Sequence, residues 1–312
     1  MSKKEIASML IRPQVIPGQE YDVTAPLRPQ SGIDKIKLLL NGNYVTPLFQ
    51  EAIQQNNPYT FIPADNSICL EKSGSYYLVI LNQEYFDFEQ DILAQINQAI
   101  LLLINSNFLI PTEQSMYYGN ALSHIIHITE VEFYFDNEPK HLWVSSNNAA
   151  DTIDQAKLEN KFYRYMNTGN ELTDTYYSCD YTPATENKSA VPSTVCIYNK
   201  QQKDIETMVN KKGVTKEQQL QRIYNHPWKT RLEFRLSADN CSYLNLANFS
   251  GTYFTVLGRY KELLSILYNR YCAGKIMYDN NTNNCLQRVI RKAEQTKYSC
   301  YFTNKDGKLQ KN

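Results

Sequence analysis

Three carboxylates recur on one side of a single short stretch, Ile128 to Asp136, which reads Ile-Thr-Glu-Val-Glu-Phe-Tyr-Phe-Asp. Side chains alternate along a strand. Thr129, Val131, Phe133 and Phe135 therefore share one face, and Ile128, Glu130, Glu132, Tyr134 and Asp136 share the other. Neighbouring carboxylates oppose one another's ionisation, so positive charge must offset them. A divalent cation would do so, with oxygen ligands favouring magnesium or manganese, and so would basic side chains. A solvated outer face of an antiparallel sheet is the remaining reading. A second row, Arg231, Glu233 and Arg235, alternates in sign along Lys229 to Leu236, with Leu232, Phe234 and Leu236 opposite. It reads as a ladder of cross-strand ion pairs or as the complement an acidic strand needs.

Other chemistry-bearing residues carry less. His124 and His127 precede the acidic strand, but positions three apart on a strand face opposite sides, so a structural or single-ligand role fits them better than a shared ion. Tyr176, Tyr177 and Tyr181 lie close together in a chain of 24 tyrosines, where strand preference accounts for the cluster. Neither Walker-type nor Rossmann-type glycine spacing occurs.

The elements that position these residues follow from period and punctuation. Residues 1 to 30 hold Pro13, Pro17, Pro26 and Pro29 without a sustained period and suit an extended arm. Asp34 to Leu40 predicts a strand ending at the Asn41-Gly42-Asn43 turn, and Ser75 to Leu81 predicts a second. From Asp87 to Ser106 apolar residues recur at spacings of three and four, the stripe of an amphipathic helix. Ser145 to Asn160 is a loop or an exposed helix. Thr173 to Cys179 and Val195 to Lys200 form a hairpin around a long polar loop, and Lys203 to Tyr224 is an exposed helix or insertion. After Asn240 the pattern turns helical, over Tyr253 to Cys272 and Cys285 to Tyr298, with no clear strand signal.

The chain has 312 residues, with Lys and Arg matching Asp and Glu at 32 each, so net charge argues for no polyanionic partner. Distribution says more, because from Gly251 onward eleven basic residues face four acidic ones. Seven cysteines without a Cys-x-x-Cys pair suit a reducing compartment. No export signal and no run near the ~20 apolar residues of a membrane helix is present, so the expectation is a cytoplasmic protein without membrane contact. The fold class expected is α+β, a central antiparallel sheet flanked by helices, followed by a helical basic C-terminal region. The domains expected are an arm over 1–30, a sheet domain over 31–240 and the helical region over 241–312.

The order of segments over about residues 31 to 240 resembles the replication initiators of small rolling-circle plasmids, the Rep_trans family, which are HUH-endonuclease-like. Ile33-Asp34-Lys35-Ile36 is similar to the family's opening strand with its aspartate. Thr129 to Asp136 is similar to the family's Thr-Arg-Leu-Asp-Leu-Ala-Phe-Asp, with Glu132 and Asp136 in the acidic places. Tyr177 stands where the family tyrosine does, Ile197-Tyr-Asn-Lys-Gln-Gln202 resembles Ile-Tyr-Asn-Lys-Lys-Gln, and Arg231 to Leu236 resembles Arg-Val-Glu-Ile-Glu-Leu. The sequence departs from the family at Ser178, Cys179 and Asp180, which replace its glycine and arginine, and at Glu130, which replaces an arginine.

The resemblance implies nicking of origin DNA, both double-stranded and extruded single-stranded. Tyr177 would attack a phosphodiester, leaving a 5′-phosphotyrosine and a free 3′ hydroxyl. A tyrosine of reference pKa about 10 needs activation. The resemblance supplies it through a magnesium or manganese ion on Glu132, Asp136 and Glu233 acting as Lewis acid, with Lys200 and Arg231 steadying the phosphate. A homodimer and a host helicase are the further partners implied, and the basic C-terminal part would contact the DNA backbone. The departures around Tyr177 keep a second expectation in play, a DNA-binding protein on the same scaffold without nicking.

Overall fold

The computed structural model describes residues 31–54, 60–61, 68–82, 85–86, 90–137, 141–165, 174–186, 190–200, 203, 230–237, 260–295, 301–303 and 309–311. The expected arm over 1–30, nearly all of the stretch Lys203 to Tyr224, and the expected boundary at 240 lie outside them. The fold is α+β, and the chain divides into two compact units, neither contiguous in sequence.

One unit holds Gly32–Tyr134 and Arg235–Ile266. Its strands are β1 (Ser31–Leu40), β2 (Thr60–Phe61), β3 (Ile68–Ser73), β4 (Tyr76–Asn82) and β5 (Ile125–Asn137), in the order β2-β3-β4-β1-β5. Strands β3 and β4 pair antiparallel with Ser73 opposite Tyr76. Gly74, at φ 60°, makes the turn, a left-handed conformation that costs little only without a Cβ. Strand β4 then pairs antiparallel with β1. Helix α1 (Pro47–Gln54) precedes β2, and α2 (Ile92–Asn105) supplies the expected stripe, with Ile92, Ile96, Ala99, Ile100 and Leu103 buried. It starts later than the period suggested because the Asp91 side chain caps it, accepting from the Ala94 N–H at 2.8 Å.

Helix α3 (Glu113–Tyr118) and a short turn lead into β5. The turn is held by Asn97, whose amide donates to the Gly119 carbonyl and accepts from the Ala121 N–H. On β5, Phe133 and Phe135 are fully buried, as the alternation predicts, and Phe133 stacks on Tyr260 at 5.7 Å. Gly32 sits against the Tyr134 ring, where a Cβ would come within 3.1 Å, so this crowded position takes a glycine for its size.

The other unit holds Phe135–Phe234 and Leu267–Arg291. Here the end of β5 is followed in strand order by β11, β10, β9, β8 and β7. These, with β6 (Leu142–Val144), are β7 (Ala149–Ala150), β8 (Phe162–Tyr165), β9 (Thr175–Tyr177), β10 (Val195–Asn199) and β11 (Thr230–Ser237). Strand β11 pairs antiparallel with β10, β10 with β9 and β9 with β8, while β7 and β8 pair parallel. Between β7 and β8 lies α4 (Ile153–Leu158), one of the two readings of the 145–160 stretch.

Helices α5 (Tyr260–Tyr271) and α6 (Asn284–Gln295) match the helical reading of the C-terminal part. Strand β12 (Ile276–Tyr278) does not, and it pairs with β6. Three residues are too few for a period-2 signal, so its partner rather than its own pattern makes it a strand. Asn283 caps α6 and also bonds the Asn137 side chain and the Asp136 carbonyl, tying the helix to the end of β5. Among the described residues no helix is long and apolar enough to cross a membrane.

Phe234 meets Phe135 edge to face at 6.1 Å, and both are fully buried. Phe234→Ala should cost about 3–5 kcal/mol of unfolding free energy, read from urea denaturation. A change under about 1 kcal/mol would place this pair outside the core.

Candidate functional site: a buried row of carboxylates and bases

The acidic face of β5 is buried at Glu132 and Asp136, at 8% and 5% exposure, and half-buried at Glu130. That excludes the solvated outer face, and the cations that meet it are side chains. Lys35 Nζ lies 2.7 Å from Glu130 and 3.3 Å from Glu132, and Lys37 Nζ lies 3.1 Å from Glu130. Arg235 Nε approaches Glu132 at 3.8 Å. Arg231 grips Asp136 with both arms of its fork, Nε to one oxygen at 2.7 Å and Nη2 to the other at 2.9 Å. That is the bidentate geometry that makes guanidinium–carboxylate pairs strong. On the same face of β11, Glu233 accepts from the Tyr198 hydroxyl at 2.6 Å, and Lys203 Nζ donates to that hydroxyl at 3.3 Å.

Alternation explains the assembly. Lys35 and Lys37 are two apart on β1, and Arg231, Glu233 and Arg235 are two apart on β11, so each row presents to one face. Asp34, the residue similar to the family's first-strand aspartate, falls on the opposite face of β1 with buried Ile36 and Leu38. It does not join the carboxylates that Lys35 and Lys37 reach. Burial pushes the Glu130 carboxyl up, yet the Lys35 ammonium, a hydrogen bond with Glu132 and the Lys37 charge together outweigh it and hold the group at about 2, well below its ordinary 4.5.

The donor set does not fit the magnesium or manganese ion implied for Glu132, Asp136 and Glu233. Both oxygens of Asp136 are taken by a guanidinium that cannot lose its proton, Glu132 already meets Lys35, and Glu233 is bonded to a tyrosine hydroxyl. A divalent ion there would sit against the permanently charged guanidinium of buried Arg231. Among the described residues no group of three or more His, Cys, Asp or Glu is placed to hold a metal ion. His124 is structural, its ring nitrogens 3.1 Å and 2.9 Å from the Ala121 and Ile110 carbonyls. The ring of His127 loses basicity through burial.

Tyr177 lies opposite Cys196, and Cys196 lies opposite Glu233, so the tyrosine shares a sheet face with Glu233 and Arg231. Two strand spacings, roughly 10 Å, separate its backbone from β11. Its ring stacks on Tyr181 at 4.5 Å and on Tyr163 at 6.4 Å. Tyr176 faces the other way, opposite Ile197. Lys200 follows β10 directly and is half-buried. The departures after Tyr177 have a structural job: Asp180 accepts from the Ser178 hydroxyl and from both the N–H and the hydroxyl of Thr194, closing the base of the 178–194 loop.

Sequence reasoning missed Tyr163 and the two lysines of β1. The Phe-Tyr-Arg-Tyr of β8 carried an alternation that could have found the first. Lys35 and Lys37, at alternate positions of a strand already recognised, matched the spacing of the carboxylates they meet. No protein-family model matches the chain, and no curated protein matches it.

Two measurements check the row. Arg231→Met leaves the Asp136 charge buried and alone and should cost about 3–5 kcal/mol, whereas Arg231→Met with Asp136→Leu should recover much of it. Failure of the double variant to recover any would mean that the pair does not act as a unit. Because the Glu130 carboxyl is depressed in the folded state, its contribution is complete above the ordinary 4.5 and is lost as pH falls towards about 2. Acid titration of unfolding free energy should therefore fall less steeply over that window in Glu130→Gln than in the unaltered protein.

Proposed function

We propose that the protein is a DNA-binding replication initiator of the rolling-circle type that it resembles, acting in the cytoplasm on origin DNA, with the acidic row of β5 serving structure and not metal chemistry. The supporting observation is the charge pattern of α6. Leu286, Val289, Ile290 and Ala293 are buried, while Arg288, Arg291 and Lys292 stand exposed one turn apart. Like charges at these spacings repel and weaken a helix. A polyanion laid along them would meet this positive side and release counterions. The basic excess beyond Gly251 extends the same sign through the C-terminal part.

A second reading, nicking by Tyr177, draws support from its place on one face with Arg231 and Glu233 at the mouth of a long loop. In that reading the Tyr177 oxygen bonds the phosphorus as the bond to the 3′ oxygen breaks, Lys200 steadies the phosphate, the tyrosine proton passes to solvent and the 3′ oxygen takes one from solvent to leave as a hydroxyl. Arg231 stays with Asp136.

Anisotropy titrations with a labelled duplex across a salt series test the first reading. Log affinity should fall with log salt, and replacing Arg288, Arg291 and Lys292 with Gln should reduce the slope by roughly 3 at about 0.9 per phosphate contact. Salt-independent binding, or none, would sink it. Denaturing gels of the protein with a single-stranded oligonucleotide carrying its own origin test the second: a covalent adduct that disappears in Tyr177→Phe would establish it, and persistence in that variant would remove Tyr177.

A further inference from the structure

Three tyrosines that are far apart in sequence stack together beside the loop base. Tyr163 on β8 and Tyr177 on β9 are cross-strand partners, their ring planes 20° apart. Tyr181 turns back from the loop to lie within 15° of Tyr177 and 5° of Tyr163. Its position is fixed on both sides. The Tyr181 N–H donates to the Ser178 carbonyl at 3.0 Å, and Thr182 exchanges two backbone bonds with Val191 at 3.1 Å and 2.8 Å. The Asp180 clasp holds the turn between them.

The array is only half-buried, and Tyr165, two positions along β8 on the same face, is 47% exposed. Aromatic pairs inside a core take tilted or edge-on packing as readily as parallel packing. A near-parallel set held at the surface by a clamped turn instead leaves ring faces and edges in line for another planar group. Cations border it: Lys157 Nζ reaches the Thr182 hydroxyl at 3.2 Å, and Lys275 Nζ reaches Asn160 at 2.8 Å, the same side-chain oxygen that accepts from Cys179 at 3.2 Å.

Resting on the DNA-binding reading above, we propose that Tyr163, Tyr177 and Tyr181 form a base-stacking platform for single-stranded nucleic acid, with Lys157 and Lys275 meeting its phosphates. Stacking needs a base whose faces are available, which a paired duplex does not offer at its side, and it tolerates any sequence because every base has a π-face. A sugar would need hydrogen-bonding carboxylates beside the rings, and Asp180, in the turn next to Tyr181, is already taken up by Ser178 and Thr194. The platform and α6 then divide the work, one taking unpaired bases and the other duplex phosphates.

The full-length protein is titrated by anisotropy with labelled oligothymidine and, separately, with a duplex of the same length. Oligothymidine should bind with quenching of tyrosine emission. Tyr181→Leu and Tyr163→Leu should each weaken it about tenfold or more, with duplex affinity unchanged. Tyr181→Phe, which keeps the ring, should bind like the unaltered protein and guards against loss by misfolding. Equal loss in Tyr181→Phe and Tyr181→Leu, or no loss in either leucine variant, overturns the platform. So does duplex binding without oligothymidine binding, which leaves the DNA-binding reading standing. Binding of neither nucleic acid overturns both, and capture of a proline-rich peptide or a glucan oligosaccharide in place of oligothymidine overturns the platform alone.

Discussion

The neutralisation of buried carboxylates on β5 is the constraint on which the rest of the structure depends. An ionised carboxylate moved from water into a protein interior carries a cost of several kcal/mol unless it is paired and hydrogen-bonded. Asp136 and Glu132 are both nearly inaccessible, so their partners must be held in place by the backbone and not by chance. The neighbouring strands do this. Lys35 and Lys37 arrive from β1, and Arg231 and Arg235 arrive from β11, each at alternate positions. A slip of one residue in either strand would turn its bases to the opposite face and leave the acids buried alone. The charges and the buried apolar residues on the far side of these strands therefore specify the same register.

That constraint also limits the chemistry. A carboxylate whose two oxygens both accept from one guanidinium offers a metal only its remaining lone pairs, beside a fixed positive charge that repels the ion, so an acidic row built as the internal glue of the sheet makes a poor cation cage. Its likeness to a family motif is a likeness of residue types at strand spacing, and the same types at the same spacing serve either end. What separates the two is the second row. There Arg235 on β11 approaches Glu132 at 3.8 Å, a base where a cage would need a further acid.

Much of this was legible before any coordinates. Alternation alone assigned both faces of β5 and β11, the burial of Phe133 and Phe135, and the opposite facing of Tyr176 and Tyr177. The need for positive charge followed from three acids on one face. Which positive charge was not legible, because the carboxylate spacing is identical whether a metal or a lysine stands opposite, and the answer lies on β1, some 95 residues earlier. Burial of the polar face was hidden for the same reason, since polar residues on a strand read as solvent-facing until their partners are known. Tyr163 escaped notice because its partners lie on other elements, and β12 because three residues cannot display a period.

The residues after Tyr177 show how a departure from a motif can be informative in its own right. Ser178 and Asp180 do not leave the tyrosine unsupported. With Thr194 they cross-link the two ends of a loop of more than a dozen residues, where closing a flexible loop would otherwise carry an entropic cost that grows with its length. The same clasp carries Tyr181 back over Tyr177, and Cys179 between them turns to Asn160 and so to Lys275. Burial raises the Cys179 thiol, so Cys179 meets Asn160 as a hydrogen-bond donor and not as a reactive thiolate. A loop clasped at its base in this way supports ring geometry, because the turn that carries Tyr181 is fixed by the same bonds that join Ser178 to Thr194, and the rings of Tyr163, Tyr177 and Tyr181 stay near parallel.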